Sequence, residues 1–335
     1  MTAALARRGP DAEGFHQWPG VSEHAMFGHR RLSIYDLSEA GRQPMLTADG
    51  STGIVFNGAI YNFHDIRREL IGLGFQFNSN CDTEVLLAGY VVWGIDAIVA
   101  KLRGMFALAI WDSKLKKLFL VRDRLGVKPL LYHAADGEIA FASTARALRV
   151  GGVCSDIDPQ AVAEFLEFGY VTDDRCIYKG VQKLKAATIL EWSAGTIQTR
   201  QYWSPCEIPA STASFEDAVN ETERIFLEAV KMRLEADVTV GALLSGGIDS
   251  SLICWAVSQL GADIKAFTVA TPGDELDESV DARETARALG IKHEMIALSG
   301  EQAPDLDEMV SAYGEPFACS SARSEGTRLN SSHSS

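Results

Sequence analysis

Between residues 52 and 143 apolar positions come in short runs broken by turn-forming residues, and their spacing changes from one run to the next. TGIVFNGAIYNF (52–63) reads as a strand running into a turn, and HDIRRELIGLG (64–74) sets its apolar residues on one face of a short helix. TEVLLAGYVVWGIDAIVAKLRG (83–104) has room for one or two more helices. MFALAIWDSKLKKLFLVRD (105–123) predicts two strands about a DSKLKK connection, and PLLYHAADGEIAFAS (129–143) repeats the device with Asp136-Gly137 as its turn. Strands that arrive as hairpins build an antiparallel sheet, and helices from the same segment must cover it. Residues 1–202 are therefore expected to form an α+β layered sandwich.

Downstream the pattern changes. QYWSPCEIPASTASF (201–215) shifts towards Pro, Ser, Ala and Thr and predicts a linker over 203–213. Ser214 opens a helix, with Asp217 three residues on as a variant capping box and the apolar face of AVNETERIFLEAVKMRL behind it. From Thr239 strands and helices alternate: TVGALL, SSLICWAVSQLG, KAFTVAT, ESVDARETARALG, KHEMIAL. Such alternation demands a parallel sheet with right-handed crossovers, so residues 214–322 are expected to form an α/β domain. The final stretch, RSEGTRLNSSHSS (323–335), has five serines and one large aliphatic residue, and is expected to be disordered or foreign to the fold.

Composition narrows the classes of function. With 47% apolar and 23% charged residues over 335 positions, the chain reads as an ordinary globular protein of two domains. No apolar run reaches the roughly 18–20 residues of a membrane span, and MTAALARRGPD meets arginines and a Gly-Pro turn before any apolar stretch, so no signal peptide and a cytoplasmic location are expected. The net charge of −14 repels phosphodiester backbones and speaks against nucleic acid as a partner. Cys81, Cys154, Cys176, Cys206, Cys254 and Cys319 show no metal-finger spacing and are expected to be reduced thiols, most of them buried.

The most informative string is LLSGGIDSS (243–251), which closes the first strand of the alternating region. Glycines let backbone N–H groups approach a ligand, and the start of the following helix adds unpaired donors and about half a positive charge, so an anion belongs there. A Walker A loop is excluded because no Gly-Lys-Ser/Thr follows. Asp249 sets a carboxylate beside the phosphates, a placement that calls for Mg²⁺ between them. The plain alternative is a tight strand-to-helix turn. The full string resembles the PP-loop of ATP pyrophosphatases, which cleave ATP to AMP and pyrophosphate while adenylating an acyl or carbonyl oxygen. That resemblance implies Ser245, Gly246, Gly247, Asp249 and Ser250 as phosphate and Mg²⁺ ligands, and Leu243 and Val269 as contacts to the nucleoside.

In the first domain RRGPDAEG, HRRLSIYD, FNGAIYN and RDRLGVKPLLY follow one another in the order of the glutaminase domain of class II glutamine amidotransferases. With the PP-loop downstream, the chain resembles the glutamine-dependent asparagine synthetase family over about residues 1–322. The resemblance implies an Ntn-hydrolase-like sandwich followed by an ATP-pyrophosphatase domain, and asparagine formed from aspartate, ATP and glutamine-derived ammonia through β-aspartyl-AMP. It also implies Mg²⁺ and is compatible with a homodimer. Arg31 would pair the glutamine carboxylate through its guanidinium fork, Asp82 would pair the ammonium, and Asn57 with Gly58 would form the oxyanion hole. The plain alternatives are a surface ion pair for Arg31, a turn for Asn57-Gly58 and a helix N-cap for Asp82. Arg122, Asp123 and His29 are expected to support the site rather than act in it.

The sequence departs from the family pattern in four places. The family's nucleophile is an N-terminal cysteine, and none occurs here before Cys81. Thr2 is not expected to substitute, because TAALARRGPD matches a stretch well after the nucleophilic strand; Met1 is expected to be an internal start, and the chain is not expected to hydrolyse glutamine. Ala59 stands where the family has an acid, and Cys319 replaces another. The second phosphate-contacting motif, Ser-Gly-Glu-Gly, does not follow GEPFACSSA, so a fragment of a longer enzyme is expected. The rival readings are a β-lactam synthetase-like or other amidating relative with a different acceptor, and a non-catalytic nucleotide-binding remnant.

Overall fold

The computed structural model describes residues 1–20, 24–172, 174–205, 212–270, 277–297 and 306–318. The middle of the expected linker (206–211), Cys206, Cys319 and the serine-rich stretch 323–335 lie outside the described residues. The chain divides into two compact units, one of residues 1–205 together with 305–335, the other of residues 206–304.

The first unit begins with a 3-10 helix at Thr2–Arg8, followed by β1 (Ala12–Trp18), β2 (Ala25–Arg31), β3 (Met45–Leu46), β4 (Thr52–Ile60), α1 (Phe63–Gly72), α2 (Asp82–Trp93) and α3 (Ile95–Lys101). It continues with β5 (Gly104–Asp112), β6 (Lys117–Arg122), β7 (Leu131–Ala135), β8 (Glu138–Ala142), α4 (Ala145–Val150), α5 (Pro159–Phe168), β9 (Val181–Lys183), β10 (Thr188–Ser193) and β11 (Thr196–Gln201). A six-stranded antiparallel sheet of order β11-β10-β6-β5-β4-β3 lies at its centre. Period-two alternation buries both faces of that sheet. On β5, Phe106, Leu108 and Ile110 join Ile54, Phe56, Phe119 and Val121 under α1, α2 and α3, while Ala107, Ala109 and Trp111 join Val55, Leu118 and Leu120 on the opposite face.

That opposite face packs on Trp18 and Phe27 of the β1-β2 hairpin and on Tyr132, Ile139 and Phe141 of the three-stranded sheet β8-β7-β9. A third cluster, including Leu131, Ala142, Val181, Leu148 and Ala161, lies between this small sheet and α4 and α5. The layers run helices, sheet, sheet, helices, as an α+β sandwich requires. The β7-β8 turn has Asp136 and Gly137 at φ 52° and 78°, the left-handed pair that a two-residue hairpin needs.

The second unit holds α6 (Phe215–Arg233), β12 (Gly241–Leu243), α7 (Ile248–Gln259), β13 (Lys265–Ala270), α8 (Ser279–Leu289) and β14 (Lys292–Ala297). Ser214 caps α6 by accepting the Asp217 N–H at 3.1 Å. The three strands pair parallel in the order β12-β13-β14, and Val230, Leu244, Cys254, Val257, Ala266 and Ala282 form the core between strands and helices. The final described helix, α9 (Leu306–Tyr313), belongs to the first unit, whereas the sequence pattern had carried the second domain to 322. Glu315 pairs with Lys183 of β9 at 2.7 Å and the Ala318 N–H donates to Gly169 O at 2.9 Å. Cys81, Cys154, Cys176 and Cys254 are buried and unbridged, and among the described residues no helix is long and apolar enough to cross a membrane.

Candidate functional site

In the first unit the sequence-predicted residues gather where β2 and β4 end and α2 begins. Asn57 and Gly58 lie inside β4, opposite Ala107 and Phe106 of β5, and are not a turn. Gly58 is dictated by that pairing: a Cβ there would sit 2.8 Å from Phe106 Cα and closer still to Met105 O, both backbone atoms. Among the described residues the Asn57 carboxamide makes no hydrogen bond to the protein, so its donors are available to a ligand. Ala59 is buried in the core beneath the helices.

Asp82 is the first residue of α2, behind the N-cap Cys81, and is almost wholly buried. Its carboxylate accepts the Ile60 N–H at 3.0 Å, which ties the start of the helix to the end of β4. Burial raises its pKa to about 6; the N–H groups of Ile60, Thr83 and Asp82 itself, and then the positive charge of Arg31, pull the other way. Arg31 is buried rather than paired on the surface. Its guanidinium donates to Ser38 O and Tyr35 O at 3.0 Å each and to Asp36 O at 2.5 Å, and Gly41 leaves space for it, since a Cβ there would run into the guanidinium carbon. A buried cation and a buried carboxylate flanking a strand end carry the charges that an α-amino acid presents in mirror image.

One residue that the sequence reading missed organises this cluster. Gln43, buried before Pro44, accepts the Phe56 N–H at 2.6 Å and donates to Thr83 Oγ1 at 3.2 Å. The Phe56 carbonyl is held from the other side by His29 Nε2 at 3.1 Å. Both backbone groups of the residue before Asn57 are thus clamped by side chains, and the same glutamine touches the residue after Asp82. Burial lowers the His29 pKa to about 4, and its buried Nδ1 has no partner, so the ring is neutral with its proton on Nε2.

Arg122 and Asp123 are consumed by the loop that they begin. Asp123 accepts the N–H groups of Phe106, Leu125, Val127 and Lys128 at 2.9–3.1 Å, and Arg122 donates to Gly126 O, Lys128 O and Leu184 O at 2.7–2.8 Å. Thr2 is buried at the start of the first 3-10 helix, against Gly28.

In the second unit Ser245, Gly246 and Gly247 leave the end of β12 and Gly247 caps α7 without a side chain. Ser250 folds back: its hydroxyl accepts the Ser245 N–H at 3.1 Å and meets Ser245 Oγ at 2.9 Å. The Gly247 N–H donates to Ser245 Oγ at 3.2 Å, and the Gly246 N–H donates to Glu278 Oε2 at 3.1 Å. Asp249 is exposed in the first turn of α7. Leu243, exposed at the strand end, and Val269, half-buried on β13, stand at the same end of the sheet, where Thr268 Oγ1 donates to Leu244 O at 2.6 Å. Among the described residues no group of three or more acids, histidines or cysteines is placed to cage a metal. Mg²⁺ bound with a nucleotide needs only one or two carboxylates besides phosphate oxygens, and Asp249 fits that demand.

A family model described as a glutamine amidotransferase domain matches residues 1–203, and one described as asparagine synthase matches residues 221–325. Asparagine synthetase [glutamine-hydrolyzing] 1 of Bacillus subtilis (strain 168) is 35% identical over 320 residues, covering 95% of this chain and 50% of the relative. Asparagine synthetase [glutamine-hydrolyzing] 3 of the same organism is 39% identical over 257 residues, covering 76% and 41%. Amidase chry2 of Gibberella zeae (strain ATCC MYA-4620 / CBS 123657 / FGSC 9075 / NRRL 31084 / PH-1) is 32% identical over 332 residues, covering 93% and 48%. The chain thus spans about half the length of the relatives it matches, or less. With the amidotransferase model covering more than half of the chain and the synthase model following it, this protein belongs to the glutamine-dependent asparagine synthetase family.

Proposed function

We propose that the chain contributes to ATP-dependent amide formation, in which aspartate is activated as β-aspartyl-AMP with release of pyrophosphate and ammonia then displaces AMP to give asparagine. The observation that carries this reading is the Ser245–Ser250 loop: backbone donors at the end of a parallel strand, an uncapped helix start and an exposed Asp249. That is the chemistry of a site for a pyrophosphate bridged by Mg²⁺. In the first unit Arg31 and Asp82 are assigned to the carboxylate and ammonium of glutamine, and Asn57 with Gly58 to the oxyanion, a donor of that kind being worth about 3–4 kcal/mol. The site chemistry needs neither nucleic acid nor membrane, and the cytoplasm is the proposed location.

With no cysteine before Cys81, ammonia rather than glutamine is the nitrogen source for the test. The chain, incubated with MgATP, aspartate and ammonium, is assayed for pyrophosphate, AMP and asparagine together. Pyrophosphate and asparagine in equal amounts support the reading. Pyrophosphate release that does not respond to aspartate favours an amidating enzyme with another acceptor, a second reading that the similarity to amidase chry2 supports. Nucleotide binding without any pyrophosphate, in a full-length form as well as in this chain, favours a non-catalytic remnant.

A further inference from the structure

The amide that the pyrophosphate reading needs is already engaged by an anion of the protein itself. Gly246, in the turn between β12 and α7, donates its N–H to Glu278 Oε2 at 3.1 Å. Glu278 is the N-cap residue of α8, 32 positions further along the chain, so the contact joins the turns preceding two successive helices of one sheet. The approach is close. A Cβ on Gly246 would stand 2.9 Å from the Glu278 Cβ and 3.1 Å from the Asp281 Cβ, so glycine is what lets α8 bring two acids against the loop. The remaining loop contacts are neutral: Ser250 Oγ holds the Ser245 N–H and Ser245 Oγ holds the Gly247 N–H. Glu278 is the one charged acceptor among the described partners of these three amides.

We infer that Glu278 is an internal counter-ligand of the loop, which competes with a nucleotide phosphate for the Gly246 N–H and so sets the affinity of the site. An N–H can serve one anion well, and a phosphate brought within hydrogen-bond distance of Gly246 would also face the Glu278 and Asp281 carboxylates at short range, a like-charge contact that costs free energy unless a cation intervenes. Binding therefore requires Glu278 to swing away, and α8 need not move, because the side chain is exposed and its rotamers are open to it. Two consequences follow from the same contact. Nucleotide affinity is lowered by the competition, and the loop keeps its open-turn shape when no phosphate holds it.

This inference rests on the loop being a phosphate site, and the experiment separates the two. Binding of MgATP, and of inorganic pyrophosphate with Mg²⁺ as a loop-only probe, is measured by titration calorimetry on the full chain, wild type and three variants, with circular dichroism melts to verify folding. Glu278→Ala is expected to tighten both ligands about tenfold, ~1.4 kcal/mol. Glu278→Gln, which keeps an acceptor but no charge, falls between, and Asp281→Asn changes affinity less than either. Without nucleotide, the Gly246 amide is expected to exchange with solvent faster in Glu278→Ala than in wild type. Unchanged affinity in Glu278→Ala overturns the inference. So does weakened affinity with a raised Mg²⁺ requirement, which would make Glu278 a ligand of the phosphate-bound ion. If no protein, wild type or variant, binds either probe, the phosphate reading itself fails and the inference with it.

Discussion

Replacing Asp82 by Asn isolates the energetic state of the candidate glutamine site. Asp82 is 4% exposed, and its pKa is raised from the ordinary 3.8 to about 6. The folded chain thus holds a proton that the unfolded chain releases over this interval. The stabilisation from that proton is fully present below about pH 3.8 and is lost as pH rises through 6. At ~1.4 kcal/mol per tenfold change in proton affinity, the cost of the ionised form reaches about 3 kcal/mol at pH 7. Asparagine has nearly the same shape, keeps an oxygen to accept the Ile60 N–H and does not ionise. The stability difference between Asp82→Asn and wild type is therefore expected to be small near pH 4 and to grow in favour of the variant to about 3 kcal/mol at pH 7. The difference itself is the readout, because carboxylates elsewhere, such as Glu191 beside Lys117, titrate in the opposite sense in both proteins. Urea unfolding followed by tryptophan fluorescence suits the question, since five of the six tryptophans lie in residues 1–205. A difference that is flat from pH 4 to 7, or that favours wild type increasingly at high pH, would refute the argument that burial dominates at this carboxylate.

Gly58→Ala is expected to cost about 1–3 kcal/mol of first-unit stability in the same urea assay, because the clash is with the β5 backbone and not with a side chain that can turn aside. Gln43→Ala leaves the Phe56 N–H buried without its acceptor and should cost about 1–3 kcal/mol, with Gln43→Glu recovering part of the loss; equal melting of all three proteins would remove Gln43 from its clamping role. Ser250→Ala removes the acceptor of the Ser245 N–H and is expected to weaken MgATP binding about tenfold by calorimetry, with a change in stability of no more than ~1 kcal/mol, since the loop is open to solvent.

Much of the fold was legible because the segments concerned carry their own instructions. The β7-β8 hairpin is announced by Asp136-Gly137, α6 by Ser214 and Asp217, and the parallel region by strands and helices alternating at constant spacing. What local pattern could not give was partnership across the chain. The sequence motif HRRLSIYD flagged Arg31, but nothing in it says that the guanidinium would be spent largely on the carbonyls of residues 35, 36 and 38. Gln43 carries no catalytic chemistry, and its importance comes only from reaching Phe56 and Thr83, 13 and 40 positions away. Glu278 was read as the opening of a helix, and only folding brings it against Gly246. The helix Leu306–Tyr313 falls within the stretch matched by the asparagine synthase model yet groups with the first unit, because an amphipathic helix advertises an apolar face without saying which surface it will meet.

The strand order of the central sheet also dictates an itinerary for synthesis. β3, β4, β5 and β6 are neighbours in space and in sequence, so they can zip together as soon as residue 122 has cleared the ribosome. The strand that covers the outer edge of β6 is β10, whose first residue, Thr188, comes 66 positions after Arg122. At ~5–20 residues per second, the edge of a sheet as apolar as Leu118, Phe119, Leu120 and Val121 waits about 3–13 s for its partner. For that interval the nascent chain presents an open, sticky strand. Elongation rate over residues 123–188 therefore sets how long that edge stays unpaired, a quantity that the stability of the finished fold does not contain.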